Sequence, residues 1–136
     1  MMSHKITYME AVRSAFFHSL DEDPRVRVFG LGVPDPKGVF GTTIGLQEKF
    51  GVERVFDIPL SENAVTGVAL GLGMSGLRPV MNHQRADFSF TSMEQIVNQV
   101  SKLTYTTGNR MTPKMTLRMV VGRGWGQGPK IGRAHV

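Results

Sequence analysis

The sequence predicts an α/β domain with a mostly parallel sheet and helices on both faces. Helical segments alternate with short apolar strand segments along the whole chain, which is the pattern of a parallel sheet with crossover helices. The chain has 136 residues, 40% of them hydrophobic and 20% charged, so it is long and apolar enough to bury one core. No internal repeat or linker divides it. We therefore expect one domain.

The amino-terminal half begins with a capping box, Thr7-x-x-Glu10, followed by apolar side chains at helical spacing. Asp21 to Pro24 ends that helix. The predicted elements are, in order, a helix over about 8–20, a strand over 26–29, a Gly/Pro loop over 34–43, a short helix over 46–50 and a strand over 55–58.

The second half repeats the alternation. Ser61 is the predicted N-cap of an apolar helix that continues to Met74. The remaining predicted elements are a strand over 77–82, a helix over about 92–105 and a strand over 115–121. The glycine-rich loop Gly122–Gly128 lacks the Lys-Ser/Thr ending of a P-loop, so we interpret it as a flexible connection beside a site.

The segment Gly71–Gly76 matches G-x-G-x-x-G, but it ends a helix and precedes a strand, the reverse of the dinucleotide fingerprint. Ala64, Gly67 and Gly71 instead form a small-residue helix face that favours close packing, within the domain or between subunits.

Composition excludes several functional classes. The net charge is +5, but the basic residues are scattered, which argues against a nucleic-acid surface. The apolar runs are too short for a membrane span, and no apolar leader is visible at the amino terminus. The absence of cysteine excludes disulfides and thiolate metal sites and fits a cytoplasmic protein. The histidines have no metal-ligand spacing, so we predict no metal site in this chain.

The last residues differ in character from the rest. The hexapeptide Ile131–Val136 is what a widely used sequencing adapter encodes, and the same adapter completes the codon of Lys130. We expect residues 1–129 to form the domain and residues 130–136 to be non-native; the alternative is a genuine short carboxyl terminus.

Glu62 is the principal candidate for chemistry. It lies where the strand 55–58 gives way to an apolar helix, the usual ligand position in open α/β sheets. The alternative is a first-turn acid that is stabilised only by the helix dipole. His83, at the end of a strand near Asp87, is more simply a structural histidine, and Phe88 and Phe90 taken alone fit an ordinary core.

Several blocks recur in an order that resembles a known family. They are Ile6–Ala11, Val39–Gly51, Arg54–Glu62, Gly76–Val80, Ala86–Phe88 and Gln95–Gln99. Over about residues 6–129 the chain resembles the beta subunits of thiamine-diphosphate-dependent 2-oxo acid dehydrogenases of the pyruvate, branched-chain and acetoin types. The resemblance implies the pyrimidine-binding domain of the transketolase-like fold.

The resemblance also implies site residues. Glu62 matches the glutamate that hydrogen-bonds N1′ of the cofactor's aminopyrimidine; this bond favours the imino tautomer that generates the nucleophilic ylide. Phe88 matches the aromatic residue that packs on the pyrimidine. Gln84 and Arg85, on the same strand-end segment, are further candidates for the lining of the site.

The implied cofactor is thiamine diphosphate, shared with an alpha subunit that carries the diphosphate and magnesium motif. The implied partners are this alpha subunit, a second beta subunit and a lipoyl acyltransferase core, and the implied substrate is a 2-oxo acid, with pyruvate favoured. After Gly-Gln-Gly-Pro the family continues with His-Ser-Gln and a further domain, whereas this chain continues with Lys130-Ile131, so we expect a truncated fragment that is inactive alone. The alternatives are a subunit of another split transketolase-like enzyme and a non-catalytic assembly or regulatory subunit.

Overall fold

A computed structural model describes residues 5–121. Four strands form one sheet: β1 (Val26–Gly30), β2 (Val55–Phe56), β3 (Arg78–His83) and β4 (Thr116–Met119). The α-helices are α1 (Tyr8–Glu22), α2 (Leu46–Phe50), α3 (Glu62–Met74) and α4 (Leu103–Thr106). A 3₁₀ helix, Ala86–Ser92, and a π-helical segment, Glu94–Val100, lie between β3 and α4.

All strand pairs are parallel, in the order β2-β1-β3-β4. In the central pair Val28 lies opposite Val80, and Gly30 lies opposite Asn82. The carboxyl ends of β1 and β3 therefore meet at the same edge of the sheet. The predicted α/β class with a parallel sheet is confirmed.

The core is divided between the two faces of the sheet because successive strand residues point to opposite sides. Val28 packs with Phe16 and Leu20 of α1 and with Leu46 of α2. The next residue, Phe29, packs on the other face with Met81 and with Val65 and Ala69 of α3. Helices thus cover both faces, as predicted.

The capping box begins α1 as the sequence indicates. The Thr7 backbone N–H donates to Glu10 Oε2 at 2.7 Å, and the Glu10 N–H donates to Thr7 Oγ1 at 3.2 Å. By contrast, Ser61 occupies the N-cap position of α3, but its side chain makes no capping hydrogen bond. The dinucleotide motif is rightly rejected, since Gly71 and Gly73 lie in the last turns of α3.

The single helix predicted over 92–105 is wrong. The structure has the π-helical segment Glu94–Val100 and the short α4 in its place, after the 3₁₀ helix that ends at Ser92. The hydroxyls of Ser89, Thr91 and Ser92 each donate to the carbonyl three residues earlier, which favours tight 3₁₀ turns. In the next segment the Ser101 backbone N–H donates to the Ile96 carbonyl five residues earlier at 3.1 Å, the spacing of a π turn.

Other predicted boundaries shift by a few residues. The second strand ends at Phe56 instead of Ile58, the last strand covers Thr116–Met119, and the first helix continues to Glu22. The loop Gly122–Gly128 and the segment 130–136 lie outside the described residues. Among residues 5–121, no helix combines the length and apolarity that a bilayer crossing requires.

Gly30 of β1 has no room for a side chain, because Asn82 of β3 lies directly opposite. A Cβ atom added there would overlap the Asn82 carbonyl oxygen and would stand 2.9 Å from Asn82 Cβ. Both residues lie in paired strands, so neither backbone can yield without disturbing the sheet. Gly71, in contrast, has nothing within 4 Å of an added Cβ.

We therefore expect Gly30→Ala and Gly71→Ala to change stability in opposite directions. Gly30→Ala should lower the free energy of unfolding by about 1–3 kcal/mol or more, as overpacking in a rigid site does. Gly71→Ala should raise it by about 0.5–1 kcal/mol, because alanine is the better helix former. Urea unfolding followed by circular dichroism measures both. Equal stability of the two variants would contradict the close approach of β1 and β3.

Candidate functional site

A cavity of about 420 Å³ opens at the carboxyl edge of the sheet, beside the amino terminus of α3. Such an edge is where open parallel sheets bind ligands. Its lining residues come from the loops after β1 and β2, the first turn of α3, the end of β3 and the 3₁₀ helix; they are Leu31, Ile58, Pro59, Leu60, Ser61, Glu62, Met81, Asn82, His83, Gln84, Phe88 and Thr91.

Glu62 is the first residue of α3 and is partly buried in the cavity wall. The helix is fixed on β3 one turn later, where the Thr66 hydroxyl donates to the Glu62 carbonyl at 2.7 Å and lies 3.4 Å from Met81 Sδ. Because α3 connects two parallel strands, it runs antiparallel to β3, and its first residue faces the last residue of that strand. Glu62 is thereby brought next to His83.

His83 ends β3 and is only 2% exposed. Its Nε2 lies 3.5 Å from Ser92 Oγ, whereas its buried Nδ1 has no hydrogen-bond partner among the described residues. Burial lowers the pKa of His83, and the negative charge of Glu62 only partly opposes this. The imidazole is therefore neutral near pH 7. Sequence reasoning favoured a structural histidine here; its position at a strand end was the signal that pointed to the site.

Gln84 lines the cavity and also holds its wall in place. Its Nε2 donates to the Leu31 carbonyl at 3.2 Å, which ties the residue after β3 to the loop after β1. Arg85 follows immediately, as the residue before the 3₁₀ helix, and does not line the cavity. A role for Arg85 in the site stays a prediction.

Phe88 lines the cavity from the 3₁₀ helix. Phe90 points elsewhere and is 71% exposed, so the pair does not form an ordinary core. The two rings diverge because the tight 3₁₀ turn, closed by the Ser89 hydroxyl on the Ala86 carbonyl at 2.6 Å, separates neighbouring side chains around the helix axis.

Asp57 has a structural role that the sequence did not reveal. Its Oδ1 accepts hydrogen bonds from the Gly32 N–H at 2.9 Å and from the Ile58 N–H at 2.8 Å. One carboxylate thus joins the loops that follow β1 and β2, and these loops supply Leu31 and Ile58 to the cavity.

The cavity combines apolar walls with few polar groups. Leu31, Ile58 and Phe88 present apolar surface, while Glu62 and His83 supply a carboxyl group and an imidazole. This composition suits a flat heteroaromatic group whose polar edge meets the two titratable side chains. Within residues 5–121, no group of three His, Cys, Asp or Glu residues could hold a metal ion.

The buried imidazole makes stability depend on pH. The pKa of His83 is lower in the folded chain than in the unfolded chain, so the unfolded state binds a proton first as the pH falls. The free energy of unfolding should therefore decrease as the pH is lowered from about 7 to about 5, below the ordinary histidine pKa of about 6.5. Urea titrations across this range should show a shallower decrease for His83→Asn.

His18 provides the matched control because it is an exposed histidine on α1. His18→Asn should keep the pH dependence of the parent chain. A slope that is unchanged in His83→Asn would contradict a buried neutral imidazole.

Comparison with known proteins identifies the family. The transketolase pyrimidine-binding domain family matches residues 4–129. The chain is 41% identical over 120 residues to the pyruvate dehydrogenase E1 component subunit beta of Bacillus subtilis, covering 88% of this chain and 37% of that protein. It is 41% identical over 119 residues to the 2-oxoisovalerate dehydrogenase subunit beta of Pseudomonas aeruginosa, covering 88% and 34%.

The chain spans about a third of the length of the curated relatives it matches. The resemblance inferred from the motif blocks is confirmed, since both relatives are beta subunits of 2-oxo acid dehydrogenases. The parallel sheet and the cavity at its carboxyl edge agree with the family match. The chain therefore belongs to the transketolase pyrimidine-binding domain family.

Proposed function

We propose that this chain supplies the aminopyrimidine-binding half of a thiamine diphosphate site in the beta subunit of a 2-oxo acid dehydrogenase. One observation carries the proposal: Glu62, Gln84 and Phe88, which the family resemblance marks as site residues, line one cavity. The names of the relatives support the reaction class.

The residues of the cavity fit an aminopyrimidine. Its volume of about 420 Å³ is of the size that small ligands occupy. Its apolar walls suit the faces of an aromatic ring, while the Glu62 carboxyl suits a polar ring atom.

Each side chain then has a distinct task. Glu62 would hold a proton against the pyrimidine ring nitrogen N1′, and Phe88 would pack against the ring and fix its plane. Gln84 would act as a positioning residue, since its amide already holds the Leu31 carbonyl. When bound, thiamine diphosphate supplies the carbon nucleophile for decarboxylation of a 2-oxo acid.

The remaining parts of the site would come from other chains. We propose an alpha subunit that binds the diphosphate and magnesium, a second beta subunit, and an acyltransferase whose lipoyl group receives the acyl product, all in the cytoplasm. The substrate is proposed only as a 2-oxo acid, because the pyruvate and 2-oxoisovalerate enzymes are equally similar, at 41% identity.

Glu62→Gln tests the proposed role. In the full-length protein assembled with its alpha subunit, we expect kcat for 2-oxo acid decarboxylation to fall by about 10²-fold or more, since an amide cannot exchange the proton. The measurement is carbon dioxide release at saturating thiamine diphosphate and 2-oxo acid.

Assembly provides the control, because Gln has nearly the volume of Glu and α3 is held by Thr66 and Met81 instead of by the Glu62 side chain. Size-exclusion chromatography should show the same assembly for both proteins. Turnover near the unsubstituted rate in Glu62→Gln would refute the assignment.

A further inference from the structure

The carboxyl group of Glu62 is positioned by the backbone that carries it. Within residues 5–121, its carboxylate oxygens accept no hydrogen bond and form no ion pair, and the side-chain hydrogen bond that reaches Glu62 ends on its carbonyl oxygen. The place of the carboxyl group in the cavity wall therefore depends on how firmly the first turn of α3 is held.

The first turn of α3 lacks the usual capping bond. Ser61 occupies the N-cap position, but its hydroxyl accepts no hydrogen bond from the backbone N–H groups of that turn. In α1, by contrast, Thr7 makes such a bond with the Glu10 N–H. The amino-terminal end of α3 must be held by other contacts.

Thr66 supplies such a contact from within the core. Its side chain is fully buried, and its hydroxyl donates its single proton to the Glu62 carbonyl at 2.7 Å. The same oxygen lies 3.4 Å from Met81 Sδ on β3, so the hydroxyl connects the backbone of Glu62 with a central strand. Holding this carbonyl restricts the backbone torsions of Glu62 and, with them, the direction in which its side chain leaves the helix.

We infer that Thr66 is a positioning residue whose hydroxyl holds the first turn of α3 so that the Glu62 carboxyl group meets the ring nitrogen N1′. This inference rests on the proposed function. Thr66 does not line the cavity, so it acts on the pyrimidine only through Glu62. A misdirected carboxyl group lowers the rate of the chemical step, because proton transfer depends on close alignment of the two groups.

Thr66→Val tests the inference because it removes the hydroxyl at nearly constant volume. In the full-length protein assembled with its alpha subunit, at saturating thiamine diphosphate, kcat for 2-oxo acid decarboxylation should fall about fivefold, the rate equivalent of one hydrogen bond. KM for the 2-oxo acid should not change. Thr66→Ser keeps the hydroxyl and should restore most of kcat. Carbon dioxide release measures all of these values.

Thr107 offers a matched control elsewhere in the chain. Its hydroxyl donates to the carbonyl of Leu103, the first residue of α4, also at 2.7 Å. Thr107→Val therefore deletes the same kind of bond in a helix that does not line the cavity. It should leave kcat unchanged.

A double-mutant cycle separates positioning from a general loosening of the core. The amide in Glu62→Gln cannot exchange the proton, so its direction no longer matters for the rate. Adding Thr66→Val to Glu62→Gln should therefore lower kcat further by less than about twofold. If Thr66→Val does not assemble, Thr66→Ala deletes the same hydroxyl with a smaller side chain and takes its place in the cycle.

The outcomes separate the inference from the function on which it rests. If Glu62→Gln keeps the unsubstituted turnover, the proposed role of Glu62 fails, and the inference about Thr66 fails with it. If Glu62→Gln loses most turnover, but deleting the Thr66 hydroxyl leaves kcat unchanged or lowers it equally with Glu62 and with Gln at position 62, the proposed function stands. The inference is then overturned, and Thr66 is a structural residue of the core.

Discussion

The packing of α3 on β3 is the contact on which the site depends. Thr66 lies against Met81 in the middle of this interface, with Thr66 Oγ1 3.4 Å from Met81 Sδ. From that point, four residues back along the helix cover about 6 Å, and two residues forward along the strand cover about 6.6 Å. Helix and strand are antiparallel, so going backward along α3 and going forward along β3 lead toward the same edge of the sheet. They end at Glu62 and His83, so one buried contact sets two side chains of the cavity side by side.

The other walls of the cavity follow from the parallel sheet. Since β1 and β3 end at the same edge, the loops after them meet there, and Gln84 holds the Leu31 carbonyl across the gap. Asp57 joins the loop after β2 to the same place through the Gly32 N–H. Gln84, after β3, and Asp57, after β2, thus bind adjacent residues, Leu31 and Gly32, of the loop that follows β1. The sheet supplies the position of the site, and these polar contacts hold the lining segments on it.

Sequence patterns predicted the parts of this structure that local chemistry decides. Residue spacing alone predicts the capping box at Thr7, the apolar face of α3 and the strand segments. Glu62 is recognisable as an acidic residue at the start of an apolar helix. The π-helical segment within 92–105 could not be predicted, because apolar spacing does not distinguish a hydrogen bond across five residues, such as that from the Ser101 N–H to the Ile96 carbonyl, from an α-helical one across four. The unpartnered Nδ1 of His83 depends on contacts between segments far apart in the chain, which periodicity does not encode.

The central claim is that the cavity beside Glu62 holds an aminopyrimidine between Phe88 and the Glu62 carboxyl group. A crystal structure of the full-length protein assembled with its alpha subunit, grown with thiamine diphosphate and magnesium, tests it most directly. We expect density for the pyrimidine ring in this cavity, with its N1′ edge toward Glu62 and one face on Phe88. Pyrimidine density at any other place, or a ring turned with N1′ away from Glu62, would contradict it.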